Sequence, residues 1–172
     1  MSEFCTSQNI INPYQVVFNF ENDFIEDNVR CIPMLVRFKL DAVGIKLKLS
    51  EWSKFSSAER SQLMVQACAT IEQMELYRIY LEHLVRMHTG GYAAPIAIEE
   101  NPGWAKEDQV PLTLQLKAAE FNWNISQSKW KELTRLQRFA LLKLHSPGHE
   151  NRNFPIAMRE FGLANAQASY VE

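Results

Sequence analysis

Residues 32–63, IPMLVRFKLDAVGIKLKLSEWSKFSSAERSQL, decide the fold, because they align without gaps on residues 110–141, VPLTLQLKAAEFNWNISQSKWKELTRLQRFAL, at an offset of 78. Six of the 32 positions are identical: Pro33/Pro111, Lys39/Lys117, Ser50/Ser128, Trp52/Trp130, Arg60/Arg138 and Leu63/Leu141. A repeated unit changes the reading of the whole chain, so it takes precedence over single elements. The remaining matches keep structural roles. Pro33 and Pro111 suit the first helical position, where a missing N–H is tolerated and the fixed φ helps. Gly44 and Asn122 are the residue types that most readily turn left-handed past a helix end. Ser50 and Ser128 each precede a tryptophan by two residues and are read as N-caps of a short helix. Ser56-x-x-Glu59 and Thr134-x-x-Gln137 both spell a capping box ahead of an apolar run.

Outward from this pair, Ile71, Met74, Tyr77, Leu81, Leu84, Val85 and His88 recur at three- and four-residue steps, which predicts a helix over about 70–88 ended by Gly90 and Gly91. The offset predicts a shorter counterpart at about 148–166, with Phe154, Ala157, Met158 and Phe161 as its stripe and a stop near Gly162. Leu112, Leu114 and Leu116 alternate as a strand would, but the start and stop signals favour a helix whose apolar face is Leu112, Leu116, Ala119 and Trp123. The expected architecture is all-α, one domain: a disordered tail over 1–12, an extended segment over 13–31, a first helical unit over 32–89, a linker over 90–109, a second unit over 110–163 and a tail over 164–172. Trp104 in the linker reads either as an exposed anchor for a partner or as a plug that packs the loop onto the bundle.

At 172 residues, 47% hydrophobic and 22% charged, the chain has enough apolar material for a core without staples. Cys5, Cys31 and Cys68 have no Cys-x-x-Cys spacing, which argues against a disulfide framework or zinc knuckle. No lysine or arginine precedes Arg30 and no apolar run approaches the length of a membrane span, so the expectation is a cytoplasmic protein. Charge alternates along the chain. Residues 1–29 carry five acids and no base, 30–60 seven bases against three acids, 99–120 five acids against two bases, and 121–160 seven bases against three acids. Such blocks either steer a charged partner or neutralise one another internally.

No motif marks an enzyme. There is no G-x-S-x-G, G-x-G-x-x-G or Walker loop. His83 and His88 are five apart and point about 140° away from each other on a helix, so they do not share a metal. His145 and His149 flank Pro147-Gly148 with Glu150 as the one nearby acid, a thin ligand set. Neither a metal nor a cofactor is expected. A sequence pI near 6.1 and the absence of an arginine-rich recognition helix argue against nucleic acid. Arg60 and Arg138 oppose the helix dipole in their first turns, which is most simply met by an ion pair with a carboxylate of another segment. The polar turn 143–154, KLHSPGHENRNF, caps a helix or meets a partner.

The runs CIPMLVRFKLDAVGIKLKLSEWSKFSSAER (31–60) and LQRFALLKLHSPGHENRNFPIAMREFGL (136–163) resemble the nitrate reductase-associated proteins, a small family best known from cyanobacteria, and the similarity extends over about 14–163. The resemblance implies a non-catalytic accessory factor for assimilatory nitrate reductase, with that enzyme or its molybdenum-cofactor insertion machinery as partner. It carries no catalytic residues with it. Arg37, Lys39, Gln137, Arg138, His149, Arg152 and Asn153 lie in or beside the matching runs and are the expected partner surface. The alternative function is a small enzyme or molybdenum-cofactor carrier with a site between the two units; nucleic-acid binding is the remaining one.

Overall fold

The prolines of the two aligned segments stand at helix starts, one residue ahead of the first helical position expected of them. In the computed structural model, which describes residues 17–24, 31–146 and 149–164, Pro33 and Pro111 immediately precede helices α1 (Met34–Val43) and α5 (Leu112–Ala119). For 22–24, 149 and 150 only the backbone is described. Strand β1 (Ile45–Lys46) and helices α2 (Leu49–Trp52), α3 (Ser57–Val65) and α4 (Ile71–Thr89) follow α1. Strand β2 (Ala94–Pro95) and a 3-10 turn at Gly103–Ala105 precede α5, and α6 (Gln127–Glu132), α7 (Arg135–Leu144) and α8 (Phe154–Glu160) complete the described chain. Among the described residues the fold is therefore all-α apart from one two-stranded antiparallel pair, Ile45 opposite Pro95 and Lys46 opposite Ala94.

Gly44 ends α1 at φ 69° and Asn122 follows α5 at φ 57°. The Trp123 N–H returns to the Ala118 carbonyl at 3.1 Å, closing the turn as a left-handed helix end should. A side chain at Gly44 meets more than a φ penalty, because a Cβ there lies 3.0 Å from the Ile96 carbonyl oxygen of the chain leaving β2. Both capping boxes form: Ser56 Oγ accepts from Glu59 N–H and Thr134 Oγ1 from Gln137 N–H, each carboxylate or amide answering at the cap N–H. Thr70 and Gln73 make a third, ahead of α4. Glu59 also meets His88 at 3.0 Å, so the first box ties α3 to α4; the His88 ring and the Ser56 N–H hold its carboxyl down at about 2.

Four further expectations need correcting. Ser50 and Ser128 are not caps. The two short helices start two residues earlier than such caps would allow, so both serines fall in the first turn, and the caps are Lys48 and Ser126, themselves 78 apart. In α5 the buried residues are Leu114 and Ala118; Leu112 is 72% exposed, Leu116 61%, and Ala119 is exposed as well. The helix carries leucine on both sides, and the side that packs is the one matching Val36 and Leu40 of α1. Ile71 is exposed, because the inward face of α4 starts only at Met74. The N-terminal segment is not extended where it is described: Asn19–Phe24 is a 3-10 turn. The expectation of disorder over 1–12 lies outside the described residues.

Two core clusters result. Val36, Leu40, Trp52, Phe55, Leu63, Tyr77 and Leu81 build the first. Leu114, Trp130, Leu141, Phe154 and Met158 build the second, joined by Met34 from α1 and by Phe20. Trp104 is half-buried and turned inward, edge-on to Phe38 at 4.9 Å, so it packs the linker.

The 3-10 turn at 19–24 is held from both ends of the chain. Glu160 of α8 accepts the N–H groups of Asn19 and Phe20. Glu21, 3% exposed, accepts the Met34 N–H at 2.7 Å, placing a carboxylate on the positive end of α1. Glu21→Ala leaves that buried N–H without its acceptor and is expected to destabilise the fold by about 1–3 kcal/mol. A drop in the urea midpoint with an unchanged slope is the signature.

Candidate functional site

Helix α1 presents opposite sides to different surroundings, and this sorts its charged residues. Lys39 faces inward. It is 8% exposed, and its Nζ donates to the carbonyls of Leu63 (3.1 Å), Met64 (2.7 Å) and Gln66 (2.8 Å) at the end of α3. Those are carbonyls a helix end leaves without intrahelical partners. Burial, which disfavours the charged form, lowers the pKa of this amine from 10.5 to about 8.

Arg37 and Asp41, one turn apart on α1, face a groove of about 410 Å³ floored by Leu40 and Ile45. Lys46 of β1 and Lys143 of α7 complete its charged lining. Asp41 and Lys143 are paired at 2.7 Å across the junction between α1 and α7, each about one-third exposed. Among the described residues three bases and one acid line the groove, and its apolar floor suits a ligand with an anionic group on a less polar body.

The other expected partner residues fall elsewhere. Arg138 is 1% exposed; its Nη2 donates to Glu107 at 2.9 Å and its guanidinium lies 5.9 Å from the Trp130 ring centre. This is the carboxylate of another segment anticipated for a basic residue at a helix start. Arg60, its counterpart, donates instead to the Phe55 carbonyl at 2.6 Å. Gln137 spends its amide on the Thr134 cap. Arg152 is exposed on the 3-10 turn His149–Asn153, and Asn153 is half-buried at the start of α8 without making a side-chain cap. The side chain of His149 lies outside the described residues.

Of the seven, then, Arg37 is the one that lines the groove. Asp41, Lys46 and Lys143 line it without having been singled out from the sequence, since a pair such as Asp41 and Lys143, 102 residues apart, has no local signature. Among the described residues no group of three or more His, Cys, Asp or Glu side chains is placed to hold a metal, and no helix is long and apolar enough to cross a membrane.

No curated protein and no solved structure matches the chain significantly. A model of the conserved nitrate reductase-associated proteins matches residues 17–161, which takes in every described helix and the whole lining of the groove. The chain belongs to the nitrate reductase-associated protein family.

Proposed function

We propose that this chain is a non-catalytic accessory factor for nitrate reductase, acting by binding the reductase or the machinery that inserts its molybdenum cofactor. The observation that carries the reading is the family match across 17–161, whose description names association with that enzyme. The groove supports it. Its carboxylate, Asp41, is paired with Lys143, and the further basic side chains that line it, Lys46 and Arg37, suit an acidic patch on a partner.

The test is capture of purified nitrate reductase on the immobilised chain. Arg37→Glu with Lys46→Glu is expected to weaken capture at least tenfold, and capture by the unaltered chain is expected to fall with added salt because charges near a surface are screened. Undiminished capture by the double variant removes the groove from the contact.

A second reading, carriage of the molybdenum cofactor, is favoured by the groove's volume and basic lining, which accommodate an anionic small molecule. Co-elution of the fluorescent pterin with the purified chain supports it; a pterin that elutes alone removes it.

A further inference from the structure

Helix α1 buries two faces, and α5 buries only one. On α1, Val36 and Leu40 enter the first core cluster. Its other face leaves that cluster and docks on the second half of the chain: Met34 joins the second core, Phe38 sits edge-on to Phe139 of α7 at 5.2 Å and to Trp104 at 4.9 Å, and Asp41 pairs with Lys143 of α7. Helix α5 repeats the first arrangement 78 residues later, with Leu114 and Ala118 fully buried in place of Val36 and Leu40. The positions matching Met34, Phe38 and Asp41 are Leu112, Leu116 and Ala119. Leu112 is 72% exposed, Leu116 61%, and Ala119 is exposed too. Single exposed leucines are ordinary on a surface. Two of them one turn apart, at the positions where the matching helix seats a neighbouring helix, form a docking face that has no such neighbour among the described residues.

The interface on α1 also indicates what the missing neighbour looks like. There the docked element is an amphipathic helix with an aromatic ring, Phe139, edge-on to Phe38, and a lysine that answers Asp41. Ala119 stands where Asp41 does, so no base is called for, and the complement is an apolar helix face carrying an aromatic side chain. A second copy of this chain does not supply it by the same mode. The helix matching α7 is α3, and its residues in the places of Phe139 and Lys143 are Ser61, which has no ring, and Val65.

We propose that the Leu112–Leu116 face of α5 docks an aromatic-bearing amphipathic helix of nitrate reductase. This rests on the accessory-factor reading above.

The experiment measures the Kd of purified nitrate reductase for three proteins: the unaltered chain, Leu112→Glu with Leu116→Glu, and Leu76→Glu with Ile79→Glu on the exposed side of α4. Both pairs are exposed, so all three proteins are expected to melt within a few degrees of one another. The α5 pair is expected to raise Kd at least tenfold and the α4 pair less than twofold. Equal binding by the α5 variant overturns the docking face and leaves the accessory-factor reading standing. A similar loss in both variants also overturns it, since the effect is then not specific to α5. If the unaltered chain does not bind the reductase at micromolar concentration, the reading itself fails and the docking face with it. A concentration-dependent dimer that the α5 variant abolishes assigns the face to a second copy and overturns the proposal.

Discussion

Trp130→Ala is expected to remove about 3–5 kcal/mol of stability. The indole is fully buried in the second core cluster, and its Nε1 donates to the Lys106 carbonyl at 2.8 Å, so truncation opens a large cavity and frees the loop that carries Glu107. For a chain of 172 residues this corresponds to a fall in melting temperature of roughly 10–15 °C, read by calorimetry or by the urea midpoint. The neighbouring Arg138 makes the loss worse, because its guanidinium lies over the Trp130 ring and two of its nitrogens, Nε and Nη1, have no hydrogen-bond partner of their own. Trp130→Phe retains most of the apolar volume and is expected to lose less than half as much. Equal losses for the two variants would show that the cavity is not what matters.

Lys39→Met is expected to destabilise the protein by about 1–3 kcal/mol. The methionine fills the space of the alkyl stem, but the carbonyls of Leu63, Met64 and Gln66 lose their shared donor. The pH dependence identifies the group. Burial sets the folded pKa at about 8, below the 10.5 of the unfolded chain. Between those values the unfolded state binds more protons, so the wild-type stability gains a rising contribution as pH goes from about 8 to about 10.5. Lys39→Met lacks that rise, and the stability gap between the two proteins is expected to widen over this window. A gap that stays constant with pH contradicts the assignment of a charged amine to this site.

What the sequence makes legible here is whatever acts over a few residues. Pro33, Gly44, Asn122 and the two capping boxes each act through their own dihedrals or through a bond three residues away, and the structure places a helix boundary at every one. The 19-residue α4 is legible because its apolar steps are long and regular. The orientation of α5 is not, since leucine lies on both sides of the helix and periodicity alone does not say which side meets the core. Contacts that join distant segments leave no local trace: Glu21 to Met34, Glu160 to Asn19, Asp41 to Lys143, Glu107 to Arg138. The candidate site suffers most from this. Lys39 reads as a surface charge because lysine usually is, yet it is enclosed by carbonyls and by the Tyr77 ring that other helices bring to it. For Arg138 the helix dipole calls for a carboxylate but does not say which segment supplies it. Arg37, two residues from Lys39, lies on the other side of the same helix and does line the groove.

The account makes nitrate reductase depend on this chain for its activity, and the most direct measurement is reductase activity per unit of reductase polypeptide in nitrate-grown cells with and without the chain. The predicted result is a loss of specific activity of at least tenfold with the reductase polypeptide still present, restored by the unaltered chain and not by Arg37→Glu with Lys46→Glu. Full specific activity in cells lacking the chain would contradict it.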